Sequence, residues 1–318
     1  MSSLLVLIAC SDFGLAKVED PRVAEAELDT GAEVPEVEQP GDSGTPPLDT
    51  AAEEPVEEVP EADTAAPPAE ETQADDPPPE DDCTETDDLI YVIARDDGVL
   101  HTFDPASLSF DSLGRVNCGT GETPGSMSVS RDGVAYVRYA DNSLYAVDLA
   151  TMSCARTSYS DRATRFDSFG MGYSTDSSDT WREQLYVANE DSLGILDLST
   201  GDVATLGRMA SQSELTGNAD GELWAMLPLE QPAELVQIDK ANAHVLTTIE
   251  LRAFPDPSDI DTFAFATWSG DFYVFVREHG MGRSTDVYKV TSGGSMSVVM
   301  TDIGFDVVGA GTSTCAPS

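Results

Sequence analysis

Few residues in this 318-residue chain have the type and spacing that catalysis or metal binding requires. The three histidines, His101, His244 and His279, stand far apart in sequence, so no two share a spacing that would build a metal triad. Gly119-Thr120-Gly121 and Gly309-Ala310-Gly311 lack the lysine and following helix of a phosphate loop, and no GxSxG elbow is present. The run Asp256-Pro257-Ser258-Asp259-Ile260-Asp261 offers oxygen ligands of the type calcium takes, but it departs from the EF-hand pattern and reads as a solvated loop. No catalytic residue, metal or cofactor is therefore assigned. Two weaker constellations remain. Arg162, Arg165, Arg208, Arg252, Arg277 and Arg283, with Arg95, fall in loops that the repeat described below places on one face, where together they would suit a small anionic ligand. Asp96, Asp97, Asp161 and Glu278 share those loops, so neutralising ion pairs are the plainer expectation. Asp167, Glu214 and Asp261 precede or open predicted innermost strands, and a facing pair among them would give a glycosidase its two carboxylates.

The elements that would hold these residues follow from a cadence displayed best by residues 184–207, QLYVANEDSLGILDLSTGDVATLG, which reads as three short strands joined by tight turns. Tyr91-Val92, Tyr136-Val137, Tyr186-Val187, Trp224-Ala225 and Tyr273-Val274 mark the second strand of successive repeats. Asp104, Asp148, Asp197, Asp239 and, with the acid replaced, Lys289 mark the end of the third. Those third-strand ends lie 44, 49, 42 and 50 residues apart, the length of a four-stranded propeller blade. An aspartate there can accept backbone N–H bonds and open the turn, so its role is structural. Glycine-rich runs at 126–130, 169–174, 214–218 and 263–268 are predicted as innermost strands, where small residues let the backbones converge. The first repeat lacks such a run ahead of it, and a spare one, Phe305–Gly311, ends the chain. The expected fold is all-β: a five-bladed β-propeller at 83–318, closed by pairing of its N- and C-terminal strands.

Composition separates this domain from what precedes it. Residues 11–82 carry 24 Asp and Glu against Lys17 and Arg22, a net charge of −22 out of the chain's −43, with twelve of its 19 prolines. Such a segment cannot bury enough apolar surface to offset chain entropy and is expected to be an extended, disordered linker. The chain's pI near 4.1 argues against nucleic acid or an anionic membrane surface as a partner. Four cysteines besides Cys10 predict disulfides if the chain is exported. Cys83 and Cys315 flank the point of closure, so a bond between them would lock the seam, contributing roughly 4–5 kcal/mol on a chain-entropy model. Cys118 and Cys154 pair by elimination, although the repeat places them toward opposite ends of their strands.

Leu7-Ile8-Ala9-Cys10 resembles the lipobox cut by bacterial signal peptidase II, which implies that Cys10 is acylated and that residues 1–10 are a signal. Six apolar residues without a basic start are short for such a signal and predict a true start further upstream. Ser11 after the cysteine resembles the sorting signal for the outer membrane. Leu185-Tyr186-Val187-Ala188-Asn189 with Leu196-Asp197-Leu198-Ser199-Thr200-Gly201 resembles the YVTN-type repeat of bacterial extracytoplasmic β-propellers, and 83–318 resembles uncharacterised bacterial lipoproteins with an acidic Pro-rich stalk. These resemblances imply a monomeric, lipid-anchored protein of the cell envelope, at the outer membrane or cell surface, touching the membrane only through its anchor. Its propeller would bind an unknown protein or a small anionic ligand. The rival expectation is a glycosidase-like or glutaminyl-cyclase-like propeller enzyme using carboxylates at the channel mouth.

Overall fold

The computed structural model describes Cys83, residues 88–177, 182–280, Gly282 and residues 284–318. The signal, Cys10, the acidic linker and Arg283 lie outside the described residues. The folded part consists of five four-stranded antiparallel sheets. Blade 1 contains β1 (Ile90–Ala94), β2 (Val99–Asp104) and β3 (Ser109–Arg115). Blade 2 contains β4 (Pro124–Val129), β5 (Val134–Tyr139), β6 (Leu144–Asp148) and β7 (Cys154–Arg156), and a one-turn helix α1 (Asp161–Thr164) follows it. Blade 3 holds β8 (Gly170–Thr175), β9 (Glu183–Ala188), β10 (Ser192–Leu196) and β11 (Val203–Arg208). Blade 4 holds β12 (Glu214–Gly217), β13 (Leu223–Leu227), β14 (Ala233–Ile238) and β15 (Val245–Leu251), and blade 5 holds β16 (Ile260–Trp268), β17 (Asp271–Glu278), β18 (Asp286–Val290) and β19 (Met296–Met300). The last strand, β20 (Val307–Gly311), pairs antiparallel with β1, Tyr91 opposite Gly311 and Val92 opposite Ala310, and so becomes the innermost strand of blade 1.

The chain is a five-bladed β-propeller. Its second strands are rich in β-branched and aromatic residues because both their faces are covered: every residue of β1 and β13 is buried. Apolar side chains of adjacent blades fill the spaces between sheets, as where Phe103 of blade 1 meets Tyr273 and Phe275 of blade 5 edge-on. Around the axis β20, β4, β8, β12 and β16 pack side by side into a ring. A Cβ on Gly172 would stand 2.7 Å from the backbone of Leu215, and one on Gly309 would stand 2.7 Å from the Met127 nitrogen. Glycine there lets neighbouring backbones touch, so the axis is tightly packed.

The turn aspartates behave as their position requires. Asp104 accepts from the Ala106 nitrogen, Asp148 from Thr151, Asp197 from Ser199 and Asp239 from Ala241, all at 2.7–2.9 Å. Lys289, the exception, pairs with Asp271 at 2.7 Å. Both disulfides are present. Cys83 and Cys315 have Cα atoms 5.5 Å apart across a sequence separation of 232. For Cys118–Cys154 the Cα separation is 5.2 Å. The conflict seen in the repeat is met by the segment after β3, which carries Cys118 onto the same apolar cluster as Cys154 and Tyr145, where its sulfur accepts from the Tyr139 hydroxyl. No helix among the described residues is long and apolar enough to cross a membrane.

Candidate functional site

The strongest concentration of charge lies where the innermost strands begin and the second strands end. Positions 167, 214, 261 and 306, all acidic, are 47, 47 and 45 residues apart and stand just before or within the start of β8, β12, β16 and β20. Arg95, Arg138 and Arg277 lie at the facing ends of β1, β5 and β17. The repeat therefore builds a partial ring of acid and guanidinium at one mouth of the channel.

Between blades 5 and 1 that ring closes on itself. Arg95 Nη2 lies 2.8 Å from Asp261 Oδ2 and 3.5 Å from Asp306 Oδ2, while Arg277 contacts Asp261 through Nη1 and stands 3.2 Å from Asp306 through Nε. His279 Nδ1 lies 3.7 Å from Asp261. Burial pushes the Asp261 carboxyl upward, but the hydrogen bond from Arg95 and the charges of Arg95, Arg277 and His279 outweigh it and hold the group below the usual carboxylate range. Asp306 shifts upward, because burial there exceeds the pull of Arg277 and Arg95. Two carboxylates do meet at the mouth, yet each is joined to the same two guanidiniums, an arrangement that holds a seam between blades.

Glu214, at the start of β12, is buried. Its Oε2 accepts from Ser126 Oγ of blade 2 at 2.7 Å, and the charge of Arg138 acts on it. Arg138, itself buried, donates Nε to the Phe169 carbonyl at 2.9 Å and Nη1 to the Tyr139 carbonyl. Gly125 makes room for it, since a Cβ there would stand 2.8 Å from the guanidinium. Burial drives the Glu214 carboxyl up to about 8, against the Ser126 hydrogen bond and the Arg138 charge, so below that pH it is a neutral acid inside the ring. A raised acid suits proton transfer in general. Here the group is buried against the neighbouring innermost strand, a Cβ at Gly170 standing 2.7 Å from the Glu214 Cα.

The other residues named from sequence are scattered. Asp167 is exposed but lies near enough to Arg138 for its charge to act on that guanidinium. Of the six arginines, Arg277 alone takes part in the mouth network. Arg252 is exposed and bonds Glu250, while Arg162 in α1, Arg165 at its C-terminal cap and Arg208 at the end of β11 are exposed, and Arg283 lies outside the described residues. Asp256 caps a short 3-10 turn by accepting from the Ser258 nitrogen, which, with Asp261 drawn into the arginine pairs, divides the acidic run. His101 stacks on Phe305 with ring centroids 4.1 Å apart. Sequence reading missed Arg138 and Asp306. Asp306 was findable from the 45–47-residue spacing of the acids; Arg138 was not, for it lies two residues after Tyr136 whereas Arg95 and Arg277 lie four after Tyr91 and Tyr273.

No protein-family model and no curated protein matches the chain. Among solved structures, TolB from Acinetobacter baumannii is similar, at 15% identity and a TM-score of 0.44, the superposition covering 72% of this chain. The chain spans 66% of the length of that protein.

Proposed function

We propose that the chain is a lipoprotein of the cell envelope, anchored through Cys10 and spaced from its membrane by the acidic segment 11–82, whose propeller serves as a binding and protein-interaction scaffold. The observation that carries this reading is the state of the channel mouth: Asp261 and Asp306 are joined to Arg95 and Arg277, and Glu214 is buried against Ser126 and closely packed innermost strands. A glycosidase needs one carboxyl free to give a proton and another free to attack or activate water. Neither role is open to these groups. The two disulfides support an oxidising, extracytoplasmic setting, and the lipobox-like run with its Pro-rich acidic spacer supports the anchor. The rim arginines Arg162, Arg165 and Arg208 remain available to an acidic partner in this reading.

Two measurements test it. Metabolic labelling with an alkynyl fatty acid should tag the wild-type chain and fail on Cys10→Ser; equal labelling of both contradicts the anchor. A thermal-shift screen against sugars, peptidoglycan fragments and metals should find a ligand that raises the melting temperature, since binding to the native state alone stabilises it by about 2.7 kcal/mol at a hundredfold excess over Kd. Turnover of glycosides or N-terminal glutaminyl peptides, abolished by Asp261→Asn, would replace the scaffold reading with the enzyme one.

A further inference from the structure

The repeat shows what one of its own grooves binds. Lys240, on the turn after β14, reaches into the groove between blades 3 and 4, where its ammonium donates to Ser174 Oγ at 3.3 Å, to the Thr175 carbonyl and to the Asp176 carbonyl at 3.2 Å. It stands 5.9 Å from the centre of the Tyr186 ring. Within blade 5 a lysine meets the corresponding tyrosine in another way, Lys289 being the cross-strand neighbour of Tyr273 with its Nζ 5.7 Å from the ring. Both tyrosines belong to the Tyr-Val pair that marks the second strand of a blade. An ammonium over an aromatic face, held by oxygen acceptors, is a favourable arrangement wherever water is partly excluded.

The groove between blades 2 and 3 has the same plan with the lysine missing. Leu198 follows Asp197 as Lys240 follows Asp239, Tyr136 stands where Tyr186 stands, and Ser130 and Asp132 stand where Ser174 and Asp176 stand. The result is a cleft of about 550 Å³ lined by Leu198, Tyr136, Ser130 and Asp132 together with Tyr173 and Glu183. The Tyr136 and Tyr173 rings lie 5.9 Å apart, tilted, and form one wall. Glu183 accepts from the Arg131 nitrogen at 3.0 Å and from Thr314 Oγ1 at 2.8 Å, which fixes its carboxylate at the back of the cleft. Asp132 is exposed at the entrance, so the cleft presents two carboxylates and two aromatic rings, and the acidity of the chain raises the local concentration of cations.

We propose that the cleft between blades 2 and 3 binds a primary alkylammonium group, presented by a diamine or by the lysine side chain of a partner, with the ammonium over Tyr136 and its alkyl stem along Leu185 and Leu198. The inference gives the scaffold reading a ligand and rests on it; failure of this site leaves the scaffold open to other ligands, whereas substrate turnover would remove the scaffold reading itself.

Calorimetric titration of the full chain with 1,5-diaminopentane and, separately, with a lysine blocked at both backbone ends should give saturable binding with one or both, and none with 1-pentanol. Saturation by the diamine alone points to a free amine, and saturation by the blocked lysine points to a partner's side chain. Leu198→Lys should refill the cleft from within, as Lys240 fills its neighbour, and weaken binding at least tenfold with the near-ultraviolet circular dichroism unchanged. If that variant fails to fold, Tyr136→Leu should give the same loss. Absence of saturation by either amine, equal binding of pentanol, or full affinity in a folded Leu198→Lys variant would overturn the proposal.

Discussion

The channel mouth between blades 5 and 1 and the cleft between blades 2 and 3 both gather carboxylates, and they end in opposite states. At the mouth, two acids pair with two guanidiniums. In the cleft, the acids and rings stand without the lysine that the neighbouring groove carries. The difference teaches that charge density marks structure as readily as function, and that a candidate site is better recognised by what the repeat supplies in one groove and omits in the next.

If the mouth and seam are structural, disturbing them should cost stability, whereas disturbing the cleft should leave stability nearly untouched. The largest effect belongs to the seam. Cys83→Ser with Cys315→Ser should lower stability by roughly 4–5 kcal/mol and the melting temperature by about 10 °C in calorimetry. Next comes Arg138→Met, which leaves the Phe169 and Tyr139 carbonyls without their buried donor and should shift urea unfolding by about 3 kcal/mol. Glu214 gives a signature in pH. Its folded-state carboxyl, near 8, lies above the ordinary 4.5, so its contribution is fully present below about 4.5 and is lost as pH rises through about 8. Stability of the wild type should therefore fall across that window by about 1.4 kcal/mol per pH unit more than that of Glu214→Gln, measured by denaturant midpoints in parallel. The smallest effect is expected in the cleft, where Asp132→Asn should change stability by less than about 0.5 kcal/mol. A loss there as large as that of Arg138→Met would erase the distinction.

Much of the architecture was legible in the sequence because each blade repeats its own local chemistry. Tyr-Val in the second strand and an aspartate at the end of the third are set by burial and by turn formation, both readable within a few residues. Closure through β20 followed from one spare glycine-rich run, and Cys83 with Cys315 followed from closure. The sites were far less legible, since they depend on contacts between blades. Arg138 hides in the strand VAYVRY as one polar residue, and its meaning lies in Phe169 and in Glu214, which is 76 residues away. Lys240 acts on Ser174, 66 residues earlier. Asp261, taken from sequence as half of a catalytic pair, finds its acidic neighbour in Asp306, with arginines between them.

Hydrogen–deuterium exchange of the full chain with and without saturating 1,5-diaminopentane tests the contrast between the two regions most directly. The account predicts added protection in residues 130–136 and 184–198, with 92–96, 261–263 and 276–279 unchanged. Protection confined to those mouth segments, with the cleft unaffected, would contradict it.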